Sequence, residues 1–350
     1  MPATATLFAP SRRAQVEAAV DAFMASSATP GVAVAVVESG RLTWAHGFGK
    51  ADLEDGAPAT EHTLFRLGSL SKSLTATAAM VLSERGQLDL DAPVQKYCPS
   101  FPQKPWPIST RQLLTHLGGI RDDDPGAQGA PEPHNTTHFG EPIASGLLLF
   151  ASEPLVAPPG THFHYATRGY TLVGCVLEGA AGRGYADVVR EIVLAPAGMT
   201  ETVIDDRVAV VPERARFYEK AAPGEAARGG VRNEDFFDSS NELPGAGWLS
   251  SAEDMARFEV AVLGDHLVRR SSREIMWTSV QPSDGSKSTY GLGWQVGPST
   301  FGHAASQPGT SAAFVVAPRR GAGVVVLANL GGVDAGKLAA QLLGVLLGER

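Results

Sequence analysis

Three serines in five positions, Ser69, Ser71 and Ser73, surround one lysine, Lys72, in the stretch LGSLSKSLTATAAMVLSERG. Ser69 and Lys72 form the only S-x-x-K in the chain. Three residues apart on a helix, a hydroxyl and an amine share one face. Leu70, Leu74, Thr77 and Val81 fall on one side of the wheel, and Ser69, Lys72 and Ala76 on another. No charged residue occurs from Ser73 to Ser83, so the helix is expected to be buried nearly all round. Lys72 is then the lone charge of a buried segment. Burial lowers an ammonium pKa, and a partly neutral lysine can take a hydroxyl proton. Ser69 is expected in the first helical turn, where free N–H groups and the positive dipole end favour a developing oxyanion. Serine is also a preferred N-cap, and on this stretch alone a capping Gly68-Ser69 and a nucleophile both stand.

The elements that must position this pair are read from periodicity. Residues 11–27 carry Val16, Val20, Phe23 and Met24 at helical spacing after a Pro-Ser start. Two apolar runs flanking Ser39-Gly40 signal a hairpin. Near the far end, residues 289–296, 312–318 and 323–330 read as strands and 333–348 as a helix. Strands joined by short turns at both ends of the chain imply one antiparallel sheet built from both. Between them the pattern is helices with long Pro- and Gly-rich loops, such as DDDPGAQGAPEPHNTTHFGEP at 122–142. The expected architecture is α+β: a discontinuous sheet domain (1–68 and 239–350) with terminal helices, and a mostly helical insert (69–238). A pocket at their junction is the default site.

With 37 acidic against 29 basic side chains the formal charge is −8, and the basic residues are scattered, so nucleic acid is not an expected partner. The first twenty residues lack the basic start and apolar core of a secretion signal, and no apolar run is long enough for a bilayer. Cys98 and Cys175 lie in apolar surroundings and read as two free buried thiols. A cytoplasmic location and no membrane partner are therefore expected. His134 and His138 are four apart but enclose Asn-Thr-Thr, without the glutamate of a metalloprotease helix, so no metal or other cofactor is expected. No G-x-S-x-G elbow and no phosphate-binding glycine pattern is present.

Eight blocks, in order, carry a resemblance to a known family. They include GVAVAVVESGRLTWAHGFGKADLEDGAPATEHTLFRLGSLSK, ERGQLDLDAPVQKYCPSFP, RQLLTHLGGI, PPGTHFHYATRGYTLVGCVLE, GAGWLSSAEDMARF, YGLGWQV and GHAASQPGTSAAFVVAPRRGAGVVVLAN. The chain resembles the penicillin-recognising serine hydrolases, in the class C β-lactamase-like branch that includes family VIII carboxylesterases and D-aminopeptidases. The resemblance implies an antiparallel sheet with terminal helices and a helical insert. It implies Ser69 as nucleophile, Lys72 as proton acceptor and Tyr165, first of Tyr165-Ala166-Thr167, as the second half of the base. A phenol near pKa 10 needs a nearby cation for that, and Lys72 is the obvious one. The third motif falls on His303-Ala304-Ala305, on a strand edging the pocket, with the N–H of Ser306 as second oxyanion donor beside that of Ser69. His164, Trp248 and Phe237 are candidates for the pocket wall.

Two departures from the family pattern point to esters. Thr167 stands where penicillin enzymes have asparagine, losing an amide that can bind a substrate amide. His303 stands where they have lysine, so no permanent cation faces a substrate carboxylate. Ala305 replaces glycine and puts a methyl beside the acyl carbonyl. The expected function is hydrolysis of short-chain carboxylic esters through an acyl-Ser69 intermediate. The same centre could serve a β-lactamase, a D-amino-acid peptidase or an acyltransferase, and Thr167 and Ala305 also leave room for a catalytically weak binding protein.

Overall fold

The computed structural model describes residues 8–122, 136–225 and 229–348. Ser39 and Gly40 take φ of 52° and 69°, the left-handed pair that a two-residue antiparallel turn requires. They join β1 (Gly31–Glu38) to β2 (Arg41–Gly49). Short strands follow: β3 (Phe65–Arg66), β4 (Val203–Ile204), β5 (Tyr218–Lys220), β6 (Val231–Asn233) and β7 (Trp248–Ser250). The last four are β8 (Gln295–Val296), β9 (Phe301–Gln307), β10 (Thr310–Ala317) and β11 (Ala322–Ala328). The order β2-β1-β11-β10-β9-β8 makes one antiparallel sheet, so strands from opposite ends of the chain lie side by side. β3-β7-β4 and β5-β6 form two small sheets.

The helices are α1 (Pro10–Ser27), α2 (Ser71–Glu84), α3 (Thr110–Leu114), α4 (Pro142–Leu148), α5 (Thr167–Ala181), α6 (Tyr185–Val189), α7 (Ala195–Ala197), α8 (Leu243–Ala246), α9 (Ala252–Leu263), α10 (Arg270–Met276) and α11 (Ala335–Leu347). Strand alternation divides the core in two. Val32, Val34 and Val36 of β1 pack with Val16 and Val20 of α1 and Leu338 and Leu342 of α11. Ala33, Ala35 and Val37 face the larger core, which holds α2, α5 and α9. Both faces of β1 and β11 are thus covered, and this is why they read as unbroken apolar runs. The fold is the expected α+β arrangement, an antiparallel sheet flanked by terminal helices. Residues 71–82 of α2 are all buried, as the absence of charge implied.

Two expectations are corrected. Of residues 289–296 only Gln295 and Val296 are strand. The segment before them is a turn, with Gly293 at φ 78° and the Gly291 N–H donating to the Trp294 carbonyl. The two cysteines are not free thiols: Cys98 and Cys175 are disulfide-bonded, with Cα atoms 5.5 Å apart. Their 77-residue separation hid the pairing. It arises because α5 presses its backbone onto the turn before Cys98; a Cβ on Gly179 would lie 1.7 Å from the Tyr97 carbonyl oxygen. Disulfides persist in oxidising compartments, so the pair weighs against a cytoplasmic location. No helix among the described residues is long and apolar enough to cross a membrane.

Candidate active site

Ser69 lies in a 3-10 turn, Gly68–Leu70, immediately before α2 rather than within its first α-helical turn. β9 fixes this turn from one side. A Cβ on Gly68 would meet Gln307 Oε1 at 2.7 Å and Ala305 Cβ at 3.1 Å, and its φ of 49° is the left-handed conformation that favours glycine. β7 fixes the approach from the other side, where the Leu67 N–H donates to the Trp248 carbonyl.

Lys72 is wholly buried. Its Nζ lies 3.1 Å from Ser69 Oγ, 3.1 Å from Thr167 Oγ1 and 3.2 Å from the Gly245 carbonyl oxygen. Three oxygens therefore surround three ammonium hydrogens. A neutral amine in the same place would donate its two hydrogens to Thr167 and Gly245 and turn its lone pair to the Ser69 hydroxyl. Either protonation state is accommodated, as a proton acceptor needs. The other two serines lie elsewhere in the core, and the Ser71 hydroxyl has no hydrogen-bond partner among the described residues. Ser73 donates to the Gly293 carbonyl at 2.7 Å, and Ser71 is completely buried.

Tyr165 stands just before α5 and lines the cleft, with 36% of its surface accessible. Lys72 Nζ sits 4.8 Å from the centre of its ring. Among the described residues no hydrogen bond joins the Tyr165 hydroxyl to Ser69 or Lys72. A cavity of about 570 Å3 extends from Tyr165 along the sheet edge, lined by Phe163, Tyr290, Phe301 and His303. A second cavity of about 500 Å3, between residues 138–144 and 184–187, touches none of Ser69, Lys72 and Tyr165.

His303 on β9 is 2% exposed. Its Nδ1 is 2.8 Å from the Ala304 carbonyl, which can only accept, so Nδ1 carries the hydrogen. Nε2 then accepts from the Tyr290 hydroxyl at 2.7 Å. Burial keeps that phenol well above its ordinary pKa, and hence protonated, with Tyr170 and Tyr165 adding to the effect. The His303 imidazole is pushed down to about 3, by burial first and by the Lys72 charge second. Its ring is therefore neutral, with both nitrogens committed inside the protein. The unfolded chain binds a proton at this residue near 6.5. Between pH 6.5 and about 3 the unfolded state thus holds more protons, and stability falls as pH drops, by at most about 1.4 kcal/mol per unit for this group. His303→Gln is expected to lose less stability than the parent between pH 7 and pH 4, read from urea midpoints. Equal losses would show that His303 does not resist protonation.

The remaining candidates separate. Thr167, at the start of α5, is a Lys72 partner. Ala305 faces the Gly68 turn. Strand alternation turns Ala304 and Ser306 to the opposite face, where Ala304 packs with the α1–α11 layer. Ala304 still borders the cavity that runs from Tyr165 along the sheet edge, beside Gly336 and Ala339 of α11, and Ser306 presents at most its backbone. Trp248 is fully buried, its Nε1 donating to the Tyr185 hydroxyl at 3.1 Å, so it supports β7 rather than the pocket wall. Phe237 is buried against the Arg66 guanidinium, 5.4 Å from its ring centre, in a separate cluster with Asp205. His164 points away from Tyr165 into a small crevice with His116, Ala166 and Gly169. His134 lies outside the described residues. His138 Nδ1 pairs with Asp238 at 2.9 Å.

Two residues that sequence reasoning did not single out pack against the residues of the cleft. Tyr290 holds His303, and its segment YGLGWQV had read as a strand. His116 lies against Tyr165, ring centres 4.1 Å apart, and within 5.3 Å of Tyr170 and 4.7 Å of Tyr290. Its only signal was a place in the block RQLLTHLGGI.

A family model described as Beta-lactamase matches residues 16–346. The chain belongs to the Beta-lactamase family. Within this family it is 29% identical over 354 residues to the Serine beta-lactamase-like protein LACTB, mitochondrial, of Mus musculus, covering 76% of this chain and 63% of that one. It is 31% identical over 228 residues to Esterase EstB of Burkholderia gladioli, covering 61% and 56%. It is 28% identical to the D-aminopeptidase of Gluconobacter oxydans, covering 81% and 51%. The chain spans about half to two thirds of the length of these curated relatives. Among solved structures, the octameric penicillin-binding protein homologue from Pyrococcus abyssi superposes with a TM-score of 0.82 at 26% identity, over 97% of this chain and 78% of that one. The D-amino acid amidase of Ochrobactrum anthropi shares the fold, with a TM-score of 0.81 at 23% identity over 97% and 99%.

Proposed function

We propose that the protein is a serine hydrolase that cleaves short-chain carboxylic esters through an acyl-Ser69 intermediate. The Ser69 oxygen attacks the ester carbonyl while its single proton is taken up by the Lys72–Tyr165 pair. The backbone N–H groups of Ser69 and Ser306 hold the oxyanion, and Tyr165 returns a proton to the departing alkoxide. Water then attacks the acyl-serine, gives up its proton along the same route, and releases the acid and free Ser69.

The observation that carries the choice of ester is the state of His303. A β-lactam or a D-Ala-D-Ala peptide offers a carboxylate, and a neutral, doubly hydrogen-bonded imidazole gives it no cation. A charged hydrogen bond is worth about 1.5–3 kcal/mol, or about 10- to 150-fold in binding. Thr167 supports the same reading, because its hydroxyl already accepts from Lys72 and has one hydrogen left for any substrate. Esterase EstB, whose name states an esterase, is one of the relatives that agree.

The test is a panel of p-nitrophenyl acetate, butyrate and octanoate, run beside nitrocefin and D-alanine p-nitroanilide. The two short esters are expected to lead the carboxylate-bearing nitrocefin by at least about 10-fold in kcat/KM. A preference for nitrocefin or for the anilide would overturn the ester reading.

A further inference from the structure

Tyr165 lies in the segment His162–Ala166, which has no helix or strand to hold it. Its neighbours on both sides are nevertheless tied to a single residue. The His164 N–H donates to the His116 carbonyl oxygen at 2.9 Å. The Ala166 N–H donates to the His116 ring at Nδ1, at 3.0 Å. Between these two bonds the His116 ring lies along the Tyr165 ring, centres 4.1 Å apart and planes inclined by 34°.

The state of His116 suits this arrangement. An imidazole that accepts at Nδ1 carries its hydrogen on Nε2, and a protonated ring could not accept at all. Burial first, and the charge on Lys72 second, hold this imidazole well below its ordinary pKa, with His303 and His164 adding to the effect. His116 also takes a φ of 59°, a left-handed conformation uncommon outside glycine, asparagine, aspartate and histidine. That backbone turn lets the carbonyl and the ring of one residue reach the two sides of the tyrosine together.

We infer that His116 is a positioning residue for Tyr165, a clamp that sets where the phenol stands relative to Ser69 and Lys72. This rests on the reading of Tyr165 as the proton-transfer group. A loosely held phenol loses the near-attack geometry, and a misplacement of about 1 Å can cost about 10²-fold in rate.

The experiment compares His116→Ala with His116→Asn. Asparagine offers an Oδ1 acceptor where the ring has Nδ1 and tolerates the left-handed backbone, whereas alanine offers no acceptor. The carbonyl bond to His164 survives in both. Two readouts are taken: amide hydrogen exchange at Ala166, and kcat and KM on p-nitrophenyl butyrate. In folded His116→Ala the exchange at Ala166 is expected to accelerate by about 10-fold or more, and kcat to fall by about 10²-fold with KM nearly unchanged. His116→Asn is expected to restore the protection and most of kcat. Unchanged exchange in His116→Ala would overturn the clamp. So would an unchanged kcat, or an asparagine variant no better than the alanine one. Should His116→Ala not fold, His116→Leu, which keeps bulk without an acceptor, takes its place. Tyr165→Phe is measured alongside. Full activity there would remove the catalytic reading of Tyr165, and the positioning role with it, while the exchange data would still report the hydrogen bonds themselves.

Discussion

Ser69→Ala is expected to reduce p-nitrophenyl butyrate turnover by about 10⁴-fold or more, to near the uncatalysed rate. The variant should fold normally. Ser69 is half-buried in a 3-10 turn, and its hydroxyl has one hydrogen-bond partner among the described residues, Lys72. Lys72 keeps Thr167 and the Gly245 carbonyl when that hydroxyl is removed, so its charge is not stranded. The expected change in stability is within about 1 kcal/mol. Urea midpoints and circular dichroism check the fold, and an active-site phosphonate should label the parent and not the variant. Retained turnover in a folded Ser69→Ala protein would rule out the acyl-serine route.

The second large effect is on stability. The Cys98–Cys175 bond closes a loop of 77 residues. By chain-entropy arithmetic such a cross-link is worth about 4.5 kcal/mol. The Cys98→Ala, Cys175→Ala double variant is therefore expected to unfold at clearly lower urea concentration than the parent, and reductant should lower the parent's midpoint without affecting the variant. Thiol titration of the denatured, unreduced protein should find no free thiol, and two after reduction. Two titratable thiols before reduction would show that the pair does not form in solution. The bond anchors α5 two turns beyond Thr167, so its loss should also loosen the Lys72 partner at the start of that helix.

What could be read from the chain depended on the range of the interaction. Ser69 and Lys72 are three residues apart, and the charge-free run after them announces a buried helix; both are local facts. One sheet built from both ends of the chain followed from the strands read there, whereas the neighbour of β1 in that sheet, β11, did not. Tyr165 came through ordered motif blocks, not through periodicity. Ala304 shows what alternation adds: with His303 on the Tyr290 side of β9, its neighbour turns toward α11, where it still borders the cavity at the sheet edge. Trp248 and Phe237 were offered as pocket walls because they are aromatic, but both satisfy themselves in the core, against Tyr185 and Arg66. His116, Tyr290 and the disulfide were out of reach. Each acts on a partner 13 to 77 residues away through a fold-dependent meeting of loops, and no spacing rule connects them.

The register Val32↔Ala328 to Val37↔Gly323 has a consequence for how the protein is made. The hydrogen-bonding partner of β1 on one side is synthesised about 290 residues after it. At about 5–20 residues per second that interval is about 15–60 s. Throughout it, the Val- and Ala-rich β1 lacks its β11 partner, and an unpaired edge of this kind recruits strands from other chains. The sheet can close only once β11 has been made. Yield in a cell should therefore depend on whatever shields that edge during translation.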